Sequence, residues 1–247
     1  MTTISKLIHM VENFQIKFFV DIGASCHTVA SESEILLEQG WKGLMFECDP
    51  NKYSIQHEKM IGKEVTVLPI KVTPDNILNI LKENNVPDGF YLTLDIDGYD
   101  YFVLDKILST YKPQLIVSEI NEKIPANIKF TVKYTEGYFW DGGHYYGYSL
   151  LMLNDLLKKY GYKINSLDWN NVILVPGVQE ERIEDVYNNG YLNREGRLEK
   201  FSYNLDFESV YNMNKENQLK FINNKFSSNG EYQIDGNTVL TRNYIIE

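Results

Sequence analysis

Between about residue 17 and residue 175, short β-rich apolar runs alternate with helix-like segments, and few folds satisfy that alternation. The runs are KFFVDIG (17–23), GLMFECDP (43–50), VTVLPIKV (65–72), FYLTLDIDG (90–98) and QLIVSEIN (114–121). Helical spacing separates them: Ile35 and Leu36 before Gly40, a polar helix up to Gly62, then Ile77, Leu78, Ile80 and Leu81 behind Thr73-Pro74. A further stripe carries Tyr101, Val103, Leu104, Ile107 and Leu108. Strand–helix–strand order implies right-handed crossovers and a parallel sheet. A helix, SLLMLNDLLKKYG, capped by Ser149 and stopped at Gly161, leads into YKINSLDW and NVILVP, two strands joined by a turn short enough to force antiparallel pairing. The expectation is an α/β fold: a Rossmann-like, seven-stranded, mostly parallel sheet closed by an antiparallel hairpin, with helices on both faces.

Residues 1–175 form the expected core, and 176–247 a C-terminal extension of a different character, Asn-rich and without a proline after Pro176. The extension could serve as a lid, an arm of a homodimer or a packing appendage; Tyr232–Ile246 reads as a hairpin around Asp235-Gly236. The stretch 122–148 is rich in Tyr, Trp and Gly and shows no period. A formal charge of −10 and a pI near 5.0 exclude nucleic acid as the main partner, since phosphate binding needs a basic face. No apolar run reaches the roughly 18 residues of a membrane span, and MTTISKLIHMVENF lacks a secretory pattern, so a cytoplasmic location without membrane contact is expected. Cys26 and Cys48 match neither a disulfide framework nor a zinc motif, and they read as small semi-buried fillers.

Open α/β sheets bind ligands beyond the carboxyl ends of their strands, so the loop after the first strand is the first candidate. There Asp21, Gly23, Ala24 and Ser25 offer a carboxylate and one glycine, not the GxGxxG that wraps a pyrophosphate. A carboxylate suits a cationic group. S-adenosylmethionine has an ammonium, which Asp21 could meet, and a ribose whose hydroxyls Glu47, at the end of the second strand, could take. The alternative is that Asp21 and Glu47 only cap buried strand ends.

VDIGA, Ser31, GWKGLMFECDP, YLTLDIDGYDY, KPQLIVSEIN and HYYGYSLLMLNDLLKKYGY together resemble FkbM-like class I S-adenosylmethionine-dependent methyltransferases over about residues 17–175. The chain departs from the family at Cys26-His27, where members often carry Asp-Gly. The resemblance implies methyl transfer from S-adenosylmethionine to an oxygen of a small metabolite or sugar-type precursor. It also points to surface polysaccharide (capsule) biosynthesis as a setting. A methyltransferase-like domain that binds without turnover, and a nucleotide-cofactor oxidoreductase, are the competing readings.

Asp95 and Asp97, and likewise Glu119 and Asn121, are two apart, so each pair shares a strand face. Two chemistries suit them. Asp95, Glu119 and Asn121 could ligate a hard cation such as Mg²⁺ that orients the acceptor hydroxyl. Alternatively, without a metal, Asp95 or His144 removes its proton. Asp95 could also be a simple cap, and Asp100 is expected to be one. Asp97, Tyr134, Trp140 and Tyr145 are the candidates for contact with the acceptor, in an aromatic loop that would exclude water.

Overall fold

The computed structural model describes residues 3–25, 32–226, 232–234, 238–239 and 244–247. Its strands are β1 (Phe18–Ile22), β2 (Lys42–Phe46), β3 (Val65–Leu68), β4 (Tyr91–Leu94), β5 (Leu115–Glu119), β6 (Phe130–Val132), β7 (Tyr162–Asp168), β8 (Asn171–Pro176), β9 (Tyr232–Ile234), β10 (Thr238–Val239) and β11 (Tyr244–Ile246). The α-helices are α1 (Thr3–Val11), α2 (Glu32–Glu38), α3 (Pro50–Met60), α4 (Ile77–Glu83), α5 (Asp100–Leu108), α6 (Leu150–Tyr160), α7 (Ile183–Tyr187), α8 (Arg197–Lys200) and α9 (Lys215–Phe226).

Seven strands form one sheet in the order β3-β2-β1-β4-β5-β8-β7. β1 pairs in parallel with both β2 and β4, β2 with β3, and β4 with β5, while β7 and β8 form the antiparallel hairpin. This is the Rossmann-like, mostly parallel sheet expected from the alternation of elements.

The chain divides into two compact units, Met1–Ile96 with Val103–Ser118, and Asp97–Phe102 with Glu119–Glu247. In the first, central-strand residues Val20, Ile22, Leu44, Phe46, Leu92 and Leu94 are buried, as strands covered on both faces require. Phe19 stands opposite Gly43 in the register, and a Cβ on Gly43 would lie 2.2 Å from the Phe19 ring. That glycine lets the far end of the ring come close to the neighbouring backbone. Helix α3 starts as its sequence demands: Asp49 accepts hydrogen bonds from the Asn51 and Lys52 amides, and Pro50 occupies the first turn. Helix α4 begins later than Thr73-Pro74 suggests. Thr73 and Asn76 instead bond to each other's amides in a turn, and the helix follows at Ile77.

In the second unit, β6 lies inside the stretch that shows no period. It pairs antiparallel with β11, in a four-stranded sheet of order β10-β9-β11-β6. β9 and β10 pair antiparallel, as a hairpin would; its Asp235-Gly236 turn lies outside the described residues. Phe130, Val132 and Ile246 of this sheet share an apolar core with Ile128, Phe207, Ile222 and Phe226. Ser149 caps α6 by accepting the Met152 amide at 3.2 Å, and its hydroxyl also donates to the Ile128 carbonyl at 2.8 Å. Helix α6 ends at Gly161 in the left-handed conformation.

A buried polar network ties the residues after β5 to the C-terminal segment. Glu122 is fully buried and accepts hydrogen bonds from the Tyr146 hydroxyl at 2.6 Å and the Asn204 amide at 2.6 Å. The Tyr187 hydroxyl donates to the Glu122 carbonyl at 2.5 Å. Lys123, also fully buried, places Nζ 3.7 Å from Glu122 and 4.1 Å from the centre of the Tyr146 ring. Burial pushes its ammonium below the usual lysine range, against the pull of Glu122. Removing either donor leaves a buried carboxylate underbonded. Tyr146→Phe and Asn204→Leu should each lower the unfolding free energy by about 1–3 kcal/mol. Because both serve Glu122, the double variant should depart from the sum of the singles, as read by urea denaturation; strict additivity would mean that the two donors act independently.

Candidate functional site

The first unit builds its candidate site on the turn after β1. Gly23 has φ +88°, and a Cβ there would fall 1.6 Å from the Asp95 carbonyl oxygen. Only glycine permits that approach. The Gly23 and Ala24 amides both donate to the Phe46 carbonyl, at 3.1 and 3.0 Å, and the Asp95 amide donates to Ile22 at 2.9 Å. The turn is thus clamped between the ends of β2 and β4. Ser25 follows with φ +47°, in left-handed backbone.

Glu47 is buried, and both its oxygens work: Oε2 accepts the Ser25 amide at 3.0 Å and Oε1 the Asp49 amide at 2.8 Å. It therefore performs the capping role and shapes the loop. A carboxylate has about four acceptor positions, so two amides leave capacity for ribose hydroxyls. Asp21 is buried too and accepts a 2.6 Å hydrogen bond from the Ser33 hydroxyl. Burial pushes its carboxyl up to about 6, with Glu32 and Glu47 adding to the rise and the Ser33 bond opposing it. Such a carboxyl is primed to ionise against an incoming cation.

Ser33, in α2, is a site residue that motif reading passes over, although S-x-S at 31–33 puts a hydroxyl two residues from the one singled out. Ser31 itself, with Cys26 and His27, lies outside the described residues. Asp95 follows β4 and is half-buried. Cys48 is exposed rather than semi-buried; partial burial of its thiol and the Glu47 charge hold it protonated above the usual thiol range. A nucleophilic role does not suit it.

The second unit holds the other candidates. Asp97 has φ +53°, and a carboxylate oxygen of Asp97 lies within 4.8 Å of one of Glu119. Glu119 is anchored by the Asn170 amide, 2.5 Å from its Oε1, and Asn170 sits in the β7–β8 turn next to Trp169, which has φ +65°. The Asp100 carboxylate accepts the Gly98 amide at 2.8 Å, the turn-capping role expected of it.

Asn121 is fully buried, and its amide donates to the His144 and Tyr146 carbonyls at 3.0 and 2.8 Å. Its Nδ2 faces the aromatic loop and pins it, while its Oδ1, the atom a cation would need, is buried without a hydrogen-bond partner. His144 packs edge-on against Phe207 at 5.0 Å, with Nε2 3.6 Å from Asp206 of the C-terminal segment. Burial and the Lys123 charge press its imidazole below the usual histidine range, so it is neutral near pH 7.

The aromatic candidates separate. Tyr145 is a buried core residue, edge-on to Phe130 and Phe226, with β6 and α9 packed around it. Tyr134 packs its edge on Tyr99 at 4.9 Å. Trp140 remains half-exposed, with its indole N–H donated to the Gly143 carbonyl at 2.8 Å.

Comparison with known proteins gives no match to any family model and none to any curated protein. Among solved structures, the chain is similar to Sp1610 of Streptococcus pneumoniae, described as a candidate tRNA (m1A22) methyltransferase (13% identity, TM-score 0.49, 92% of this chain and 97% of that one). It is also similar to an S-adenosylmethionine-dependent methyltransferase from Clostridium acetobutylicum ATCC 824 (11% identity, TM-score 0.46, 71% and 91%). A third is the magnesium protoporphyrin IX methyltransferase ChlM of Synechocystis PCC 6803 with bound SAM (10% identity, TM-score 0.42, 71% and 78%). These structural neighbours are class I methyltransferases at great sequence distance, and the fold assignment rests on the chain's own strand order.

Proposed function

We propose that the chain is an S-adenosylmethionine-dependent O-methyltransferase that acts in the cytoplasm on a small metabolite or sugar-type precursor. The observation that carries this reading is the Gly23 turn, pressed against the Asp95 carbonyl and flanked by buried Asp21 and Glu47. A Cβ would fill that cradle, and the acids beside it match an ammonium and a vicinal diol rather than a pyrophosphate. The bound donor supplies a sulfonium methyl group that is already strongly electrophilic. Asp21 would hold the ammonium, Glu47 the ribose hydroxyls, and the Gly23-Ala24-Ser25 backbone the space between them. Asp95, at the end of β4, is the favoured base for the acceptor hydroxyl. His144 is the weaker candidate, since its ring is engaged with Phe207 and Asp206.

Any magnesium assistance would draw, within the second unit, on oxygens of Asp97 and Glu119, which lie within 4.8 Å of each other, and on Asn121, whose Oδ1 makes no hydrogen bond. The resemblance in sequence supports a precursor of a surface polysaccharide as the acceptor.

Calorimetric binding of S-adenosylhomocysteine, without binding of NAD, tests the donor assignment. Glu47→Ala should weaken that binding about tenfold or more, given about 1.5–3 kcal/mol for hydrogen bonds to a charged group; unchanged affinity would contradict the ribose role. The Asp21 carboxyl must ionise to meet an ammonium, so affinity should climb as pH rises towards about 6 and level off above it. Asp21→Asn should flatten that profile, and a profile that keeps its slope would assign the titration to another group. Asp95→Asn should abolish methyl transfer to an acceptor panel, assayed with Mg²⁺ and with EDTA, while donor affinity persists; a near-normal rate would place the base elsewhere.

A further inference from the structure

Helix α7 passes into a π-helical turn over Asn188–Leu192, and the chain then loops round into α8. The turn is pressed onto β7: a Cβ on Gly190 would lie 2.5 Å from that of Leu167. Turns of this kind are frequent at functional sites, and this one leads into a cleft of about 320 Å³ walled by Leu192, Arg194, Arg197, Leu198 and Glu199. Both arginines are held in place. The Arg197 Nε donates to the Leu192 carbonyl at 3.0 Å, and its two Nη atoms donate to the two Glu208 oxygens at 2.6 and 2.7 Å. The Arg194 guanidinium lies 3.7 Å from the centre of the Trp169 ring, and its Nη1 donates to Asp168 and to the Gly190 carbonyl. Trp169 is fixed in turn, its amide donating to the same carbonyl at 3.1 Å. One edge of Arg194 is thus spent. The other, Nε and Nη2, carries three N–H groups with no acceptor among the described residues. In the same cleft Leu198 is 48% exposed.

We propose that this cleft binds a small monocarboxylate with a short apolar tail, the carboxylate bridging Nε and Nη2 of Arg194 and the tail covering Leu198 and Leu192. A guanidinium recognises a carboxylate through two parallel N–H···O bonds along one edge, and one already stacked on an indole loses little freedom in doing so. Charge decides which anion fits. Asp168 and Glu208 each neutralise one arginine, and Glu199 adds a negative wall, which only the exposed Lys200, 5.6 Å from the Trp169 ring centre, offsets. The cleft therefore offers hydrogen-bond donors without surplus positive charge. That suits a monoanion and disfavours a phosphate dianion. Its volume lies near the lower end of the roughly 300–1,000 Å³ of ligand pockets, which keeps the tail short. The C-terminal segment and the β7–β8 turn supply every group involved, so the site stands whether or not the chain transfers methyl groups.

The probes are isovalerate and phenylacetate, titrated into the full chain and followed by calorimetry and by the Trp169 indole resonance in ¹H–¹⁵N NMR spectra, assigned with Trp169→Phe. At least one should bind once per chain and shift that resonance. Acetate, which lacks the tail, should bind about tenfold more weakly, the value of one or two buried methylenes. Arg194→Lys keeps the charge but loses the fork, and should weaken the bound carboxylate about tenfold. Leu198→Glu alters an exposed side chain, so it should leave Tm unchanged while weakening the same ligand at least as much. Inorganic phosphate should bind less well than either probe. The inference is overturned if neither carboxylate binds saturably, if Leu198→Glu with an unchanged Tm binds as the parent does, or if phosphate binds in preference.

Discussion

The contact on which the first unit's site depends is between two backbones. Gly23 sits against the Asp95 carbonyl with no room for a single methyl group. From that approach follow the left-handed turn, the shared use of the Phe46 carbonyl by two amides, and the placing of Ser25 where Glu47 can take its amide. The acids then inherit their character from the turn. Glu47 is held by amides and Asp21 by a hydroxyl. One carboxylate is thus shaped by donors, while the other is left dominated by burial.

The parallel strands were legible because each is a continuous apolar run bounded by turn residues, and the α6 and β7–β8 elements because Ser149, Gly161 and the Asp168–Asn171 turn punctuate them. β6 was not legible. Its three residues are stabilised by β11, more than a hundred positions later, and no local pattern reports such a partner. The C-terminal helices were equally faint, since α7 and α8 have five and four residues and the Ser202–Asn212 segment is a long 3₁₀ helix. Short helices carry little period, and the 3₁₀ segment is held by Phe207 and Val210 entering the core.

At the candidate site, position along a strand located Asp21 and Glu47 beside the Gly23 turn, and residue type alone said less, since a strand-end carboxylate can equally cap backbone amides as Glu47 does. Tyr145 and Trp140 could not be told apart by sequence: both lie in the same aromatic loop, and only tertiary packing turns one inward and leaves the other half-exposed. Asn121 shows the same limit, because its two-residue spacing from Glu119 holds only while the chain stays extended. The strand ends at Glu119.

The pairing of β11 with β6 also bears on synthesis. The Glu247 amide bonds to the Lys129 carbonyl at 2.8 Å, and Tyr244 faces Val132 in the register, a separation of 244 − 132 = 112 residues. A nascent chain emerging from the ribosome would carry Phe130 and Val132 unsheltered through the translation of all that intervenes. Apolar residues would stay unpaired there during synthesis, and loss of β11 would strip β6 of its antiparallel partner.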